Sequence, residues 1–419
     1  MTDNNIPLRQ AQGAQHWQVK KLGEVCQTTS GGTPSRGNKS YYEGTIPWVK
    51  SGELDRGLIL DTEEKISEEA VKKSSAKVFP KGTLLIALYG ATIGKLAFLG
   101  VDAATNQAVC GIYKNENIDS NYLYYYLFSK KPSLVKQGIG GAQPNISQGI
   151  LKNLDIPFPP LSEQLAIVSK IEELLSDLEN GKQQLLTAQQ QLKVYRQSLL
   201  KAAFEGHLTN KVVKEGELPK GWKWVKIEDI ATVGTGATPL KGNNKYYNDG
   251  KVAWVTSGAL NDEFVREATD YVTELALKET NLSVYPKHTL LLAMYGEGKT
   301  RGKCSELLIE ATTNQAIAAI HFKNHDITVK PFLKYFLLKN YNDIRMLSSG
   351  GVQPNLNLGI VKKTLLPFPT IEEQHQIVEI LESKLTVCDK IEETISQSLL
   401  QAESLKQSIL KKAFEGKLA

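Results

Sequence analysis

The chain carries two copies of one long pattern, and that duplication limits its fold more than any other feature. Trp17-x-Val-Lys-Lys-Leu22 returns as Trp222-x-Trp-Val-Lys-Ile227, and Gly31-Gly32-Thr33-Pro34 as Gly236-Ala237-Thr238-Pro239. Tyr41-Tyr42 returns as Tyr246-Tyr247, and Trp48-Val49-Lys50-Ser51-Gly52 as Trp254-Val255-Thr256-Ser257-Gly258. The echo persists through Gln-Pro-Asn at 143–145 and 353–355, Pro-Phe-Pro at 157–159 and 367–369, and Ala-Phe-Glu at 203–205 and 413–415. Trp17 and Trp222 lie 205 residues apart, Gln143 and Gln353 lie 210 apart. Solenoid units run about 20–50 residues, so this period is a duplicated domain. Two alike units on one chain suit a protein that touches two similar things at a fixed separation.

Each repeat has two unlike parts. The first, 17–159 and 222–369, is rich in Gly, Tyr and Trp, with apolar runs at 83–89 and 289–295 that read as buried strands. Helical stretches are expected around 121–137 and 330–346. The second part, 160–208 and 370–419, is Leu-, Gln-, Glu- and Lys-rich. Ile171, Leu178, Leu185, Leu192 and Leu199 fall at steps of seven, with Leu174, Ala188, Tyr195 and Ala202 at the offset of three. A stripe at steps of three and four continues through Leu381, Leu385, Cys388, Ile391, Ile395, Leu399, Ala402, Leu405, Ile409 and Ala413. These are coiled-coil seams. Pro-rich punctuation precedes each helix, and Gly206 and Gly416 stand where C-terminal caps belong. The expected fold is α+β: two similar α/β globules separated by two long antiparallel helices, with an internal pseudo-two-fold repeat. A polar stretch at 209–221 reads as a linker, and 1–16 as a loosely ordered N-terminal arm.

The formal charge of +5 permits local basic patches without requiring a nucleic-acid partner. Cys26, Cys110, Cys304 and Cys388 match no metal or disulfide spacing, which points to a reducing cytoplasm. No apolar run approaches the roughly 20 residues that span a membrane. Catalytic patterns are missing. Gly298-Lys299-Thr300 lacks the upstream glycine of a phosphate-binding P-loop, where Ala293 stands instead. His321 and His325 have no acidic or cysteine partners in sequence, and read as solvated surface.

The repeat offers an internal comparison: shared residues read as scaffold, differing ones as readout. Between the shared Tyr-Gly (Tyr89, Tyr295) and Thr-Asn-Gln (Asn106-Gln107, Asn314-Gln315), the two copies differ in length and charge. Thr92 and Lys95 in one copy stand against Lys299 and Arg301 in the other. Such Gly-rich, basic loops after a strand suit phosphates of nucleic acid. Drift in a surface hairpin is the alternative. Lys50 against Thr256, beside Ser51 and Ser257, is a second difference: Lys donates to guanine and Thr meets a thymine methyl, and simple surface exposure is the equal alternative. The amides of Asn106, Gln107, Asn314 and Gln315 suit adenine edges, phosphates, or hydrogen bonding beneath the loop. Trp48 and Trp254 read as core rather than stacking platforms, and Asn145 and Asn355 as helix N-caps.

Taken in order, Gly-Gly-Thr-Pro, Tyr-Tyr, Ile-Pro-Trp-Val-Lys-Ser-Gly, Tyr-Gly-Ala-Thr-Ile-Gly-Lys, Thr-Asn-Gln-Ala and Ile-Pro-Phe-Pro-Pro-Leu-Ser-Glu-Gln resemble the specificity subunit of type I restriction-modification systems. Both repeats match from about 17 to 418. The resemblance implies two target recognition domains, each reading one half of a split sequence in double-stranded DNA, with the helices setting the gap. It implies two adenine-N6 methyltransferase subunits and ATP-dependent restriction subunits as partners. S-adenosylmethionine, ATP and Mg²⁺ would belong to those partners, and this chain would be non-catalytic and cytoplasmic. A coiled-coil adaptor without DNA specificity and a stand-alone DNA-modifying enzyme are the rival expectations.

Overall fold

The computed structural model describes residues 17–137, 145–210, 212–214, 216–295, 300–322, 327–341 and 356–418. The chain divides into two compact units, Met1–Leu185 with Ser396–Ala419, and Leu186–Ile395.

In the first unit, strand Gln18–Lys21 pairs antiparallel with Asp155–Phe158. A five-stranded sheet runs in the order Thr28–Ser30, Val109–Ile112, Leu84–Ala87, Leu96–Leu99, Leu58–Ile59. A four-stranded sheet runs Glu64–Ile66, Ile46–Val49, Ala103–Thr105, Val78–Phe79. The second unit repeats this topology. Lys223–Lys226 pairs with Leu365–Phe368; the five-stranded order is Thr232–Thr235, Ile317–His321, Leu290–Ala293, Cys304–Leu307, Phe264–Val265. Its other sheet has three strands, Asp270–Val272, Val252–Val255 and Thr312–Thr313. There a single bridge, Tyr285 to Ala311, stands where the first unit has its fourth strand.

The apolar runs at 83–89 and 289–295 form the middle strands because both faces of those strands are covered. Leu84 and Ile86 enter one core cluster with Tyr122 and Leu127 of helix Ser120–Gln137, while Leu85 and Ala87 enter another with Leu54 and Ile59. Alternate side chains leave a strand on opposite faces, so a run without polar interruptions fits only a two-sided core. Leu290 and Leu292 divide from Leu291 and Ala293 in the same way, the former pair meeting helix Lys330–Lys339. Residues 342–346 of the second expected helix lie outside the described residues.

The two long helices, Leu161–Phe204 and Ile371–Phe414, have 44 residues each, about 66 Å at 1.5 Å per residue. The carbonyl of Pro160 accepts the amides of Glu163 and Gln164, and the hydroxyl of Thr370 accepts that of Glu373. Both helices close on a left-handed glycine, Gly206 at φ 81° and Gly416 at φ 66°. The amides of His207 and Lys417 then reach back to the carbonyls of Ala202 and Lys412, a Schellman arrangement that only a residue tolerant of positive φ allows cheaply.

Each unit contains part of both helices, running in opposite directions. In the first unit Val168 and Ile171 share a core cluster with Leu410, Ala413 and Phe414, and Lys182 pairs with Glu403 at 2.6 Å. In the second, Arg196 meets Asp389 at 2.6 Å and Glu392 at 3.1 Å, and Thr209 donates to Glu373. Ile171, Leu192, Leu199, Leu381, Ile395 and Ile409 are buried; Leu178, Leu185 and Leu385 are half-buried. Ile391 and Leu405, expected in the seam, are 44% and 51% exposed. Steps of seven from Leu385 land on Glu392, Leu399 and Lys406: Leu399 is half-buried as expected, and Glu392 and Lys406 are half-buried beside the exposed Ile391 and Leu405. Likewise Tyr195 is 47% exposed and Arg196 is turned in. Long charged side chains lay their stems along the seam and keep their heads paired or wet, so hydrophobicity alone points one residue aside.

Candidate nucleic-acid interface

The shared motifs are knots that hold one loop. Trp48 is fully buried, and its Nε1 donates to the carbonyl of Gly32 at 3.1 Å. Tyr42 donates to the carbonyl of Pro34 at 2.6 Å, and Thr33 donates to Oε1 of Gln107. The second unit repeats each tie: Trp254 to Ala237 at 3.1 Å, Tyr247 to Pro239 at 2.6 Å, Thr238 to Gln315 at 2.5 Å. A Cβ on Gly31 would sit 2.1 Å from the carbonyl oxygen of Thr105, and one on Gly236 1.6 Å from that of Thr313. This close approach fixes glycine there. The two tryptophans are therefore core and unavailable for base stacking.

The Asn residues of Thr-Asn-Gln also have local work. The amides of Asn106 and Asn314 donate to Val49 and Val255 at 3.0 Å. Their Oδ1 atoms accept from Ala108 and Ala316 at 3.2 and 3.1 Å. Such Asx turns satisfy the side-chain oxygen at home. Gln107 and Gln315 are exposed, with Oε1 committed to threonine.

The hairpins that follow the middle strands close on the same backbone bonds at their described ends. Ala87 donates to the carbonyl of Lys95 and Gly94 to that of Ala87, both at 2.9 Å; Ala293 with Lys303, and Gly302 with Ala293, give the same distances. Gly94 and Gly302 have φ 73° and 83°. Lys95 is thus matched by Lys303, and the extra residues of the second loop lie before Gly302. Lys299, expected opposite Lys95, lies outside the described residues, as does its neighbour Glu297. Arg301 is half-buried at the hairpin. Lys303 was overlooked from sequence, although it and Lys95 each precede Thr-Asn-Gln by ten residues. Tyr89 and Tyr295 are half-buried against the core of their own units, and the carbonyl of Tyr89 accepts the Thr92 hydroxyl at 2.8 Å.

Short 3-10 turns flank these hairpins, Ser51–Arg56 and Ser257–Asn261, with Lys50 and Thr256 at their N-caps. Lys95 Nζ is ion-paired with Asp55. Lys50 Nζ lies 2.9 Å from Glu63 and 3.2 Å from Glu64, and Arg36 pairs with Glu64 while stacking over Tyr42 and Trp48. The hydrogen bond from Arg36, followed by that from Lys50, holds the Glu64 carboxyl below the usual range. Lys50 is pushed up chiefly by its bonds to Glu63 and Glu64. Lys50 is therefore tied to carboxylates rather than presented free to a groove.

Asn145 bridges to Tyr89, and the next short helix is capped by Ser147, whose Oγ accepts the amide of Ile150 at 3.1 Å. The expected cap lies two residues further on, where a hydroxyl stands three residues before the amide it satisfies. In the second unit Asn357 is the cap, and Asn355 lies outside the described residues. His321, read as solvated surface, ends strand Ile317–His321 and is half-buried, and burial pushes its pKa down; His325 is not among the described residues. Among the described residues no cluster of His, Cys, Asp and Glu could hold a metal, and no helix is long and apolar enough to cross a membrane.

The model of the type I restriction modification DNA specificity domain matches residues 14–188 and 219–401, one match per repeat. The chain belongs to this family. The type I restriction enzyme MjaIX specificity subunit of Methanocaldococcus jannaschii is 27% identical over 383 residues, covering 88% of this chain and 87% of that subunit. The EcoBI specificity subunit of Escherichia coli is 27% identical over 411 residues, 91% of this chain and 78% of the relative. The solved HsdS subunit from Thermoanaerobacter tengcongensis shares the fold, with a TM-score of 0.63 at 19% identity over 96% of this chain and 97% of that one. A chain from a type I R-M system, solved in work on complex assembly and conformational transition, superposes with a TM-score of 0.71 at 19% identity, covering 98% and 100%. The role of the chain is that of a type I DNA specificity subunit, a non-catalytic class of protein.

Proposed function

We propose that each unit reads one half of a bipartite sequence in double-stranded DNA, and that the paired helices set the gap between the halves. The observation that carries this is the repetition of one topology and one loop-holding knot in both units, each built on portions of the same two 44-residue helices. The reading elements are the hairpins with Thr92, Lys95, Arg301 and Lys303, the turns at Lys50-Ser51 and Thr256-Ser257, and the exposed Gln107 and Gln315 beside them. Side chains of these types supply base-edge contacts where they are held in place and phosphate contacts where no carboxylate matches their charge.

The helices also dock two methyltransferase subunits, with restriction subunits joining the complex in the cytoplasm. In the second unit Val387, Ile391 and Tyr195 stand exposed on the flank of the helix pair around a groove that also takes in Leu192 and Cys388. Apolar surface of that kind marks a protein contact. Adenine-N6 methyl transfer with S-adenosylmethionine, and cleavage with ATP and Mg²⁺, belong to those partners.

Mapping methylated adenines in the source cell, with and without this gene, tests the proposal. The expected result is a two-part motif with a constant gap, methylated only when the gene is present. Methylation unchanged by its deletion refutes it, as does methyl transfer by the purified chain alone.

A further inference from the structure

The two units set a lysine at the same point of the same hairpin and surround it differently. Lys95 Nζ meets a carboxylate, Asp55. Lys303 Nζ donates at 2.8 Å to Oδ1 of Asn261, a neutral amide. Asn261 is held in that orientation because its Nδ2 donates to the carbonyl of Gly258 at 2.8 Å. Asp55 and Asn261 occupy equivalent places in the two 3-10 turns, three residues after Gly52 and Gly258.

The first unit extends its neutralisation. Lys50 is bound by Glu63 and Glu64, Arg36 by Glu64, and Arg56 by Glu53 at 3.7 Å. The amides of Lys50 and Glu63 donate to the Glu53 carboxylate, so turn and following loop form one network. At the places of Lys50, Glu53 and Glu63 the second unit has Thr256, Ala259 and Thr269. Among the described residues, Lys303 meets no carboxylate.

We infer that the two recognition domains divide the work of binding DNA, and that the Asp55/Asn261 pair sets the division. The inference rests on the DNA-reading role proposed above. A lysine already matched by a carboxylate gains little by meeting a phosphate, because the carboxylate is left behind beside a polyanion. A lysine held by an amide brings its whole charge, displaces a condensed counterion and adds to the salt dependence of binding. Lys303 is thus a phosphate anchor for the second domain. The first domain approaches DNA with Arg36, Lys50, Arg56 and Lys95 fixed by acids, which orders these donors for discrimination and weakens its general attraction.

The test uses the full chain assembled with its methyltransferase subunits and fluorescent duplexes with and without the methylated motif, titrated from 50 to 300 mM salt. Replacing the amide with a carboxylate, Asn261→Asp, should flatten the slope of log K against log salt by about 0.9 and weaken binding about fivefold near 0.15 M salt. Asp55→Asn should steepen the slope and strengthen binding to duplexes lacking the motif. The double exchange should return both quantities toward wild type, and Lys303→Gln should match Asn261→Asp while Lys303→Arg retains binding. Two single exchanges that leave the slope unchanged, or shift it in the same direction, overturn the inference while DNA reading stands. Wild-type complex without salt-dependent binding to either duplex overturns the DNA-reading role and the inference with it. Should Asn261→Asp fail to fold, the opposite sign expected for Asp55→Asn still decides.

Discussion

Lengthening the helix pair by one heptad is the sharpest test of the spacer. Seven residues inserted after Leu185 and seven after Ile395, at the boundaries of the compact units, preserve the step of seven on both helices. The insertion adds about 10.5 Å of helix at 1.5 Å per residue, or about three base pairs at 3.4 Å each. The expected motif keeps both half-sites and widens its gap by about three base pairs. Duplex rotation adds a second expectation. Three base pairs turn B-DNA by about 100° at 10–10.5 per turn, whereas a heptad drifts by only about 20° around a straight helix. One heptad should therefore slow methylation even at the widened gap. Three heptads, about 32 Å and close to one turn of DNA, should restore it at a gap about nine or ten base pairs longer. The assay is methylation by the reconstituted complex on a duplex library with every gap length. A preferred gap unchanged by one and by three heptads would refute the spacer.

Three further outcomes follow from packing and charge. Phe204 lies 5.0 Å from Phe332 and 5.4 Å from Phe336, and Phe414 lies 5.2 and 5.1 Å from Tyr122 and Tyr126; Phe204→Ala or Phe414→Ala should each cost about 3–5 kcal/mol in denaturant unfolding, and a loss below 1 kcal/mol would show the contacts to be incidental. Glu306 is 8% exposed and touches Lys330 at 2.6 Å and His288 at 2.8 Å; burial pushes its carboxyl up, but the bonds from Lys330 and His288 outweigh that and leave it below the ordinary value. Glu306→Gln leaves the buried Lys330 without a carboxylate, while Lys334 keeps Glu263, and should destabilise by about 3 kcal/mol. The wild-type contribution should fade as pH falls through the depressed pKa, and a melting temperature flat in acid for both proteins would contradict it. Burial raises the thiols of Cys26 and Cys110 to about 11 and that of Cys304 to about 12. An unfolded thiol ionises near pH 8.5, so native stability should hold below that pH and decline as pH rises toward 11 and 12; rapid labelling of the native thiols at pH 8 would count against it.

The duplication, the middle strands and both long helices were legible because each writes a periodic or repeated signal. The knots were visible only as motifs: Thr33 and Gln107 stand 74 residues apart, and nothing local says that one holds the other. Ile391 and Leu405 misled because seam membership follows phase, and phase can hand a half-buried place to Arg196 or Glu392. The site was legible as a region and not as a residue set. Lys299 drew notice for its glycine neighbours, while backbone bonds across the hairpin match Lys95 with Lys303. Which lysines are quenched depends on Asp55, Glu63 and Glu64, partners brought near by folding and unmarked in sequence.

The first core is completed by Leu410, Ala413 and Phe414, whereas Leu186–Ile395 is one uninterrupted stretch. During synthesis the later-made half can therefore finish first. The earlier-made half waits for some 229 further residues between Leu185 and Phe414, roughly 10–45 s at ribosomal rates. Through that interval Tyr122 and Tyr126 lack the ring that covers them. A cell making this protein must shield an unfinished apolar surface until Phe414 has been added.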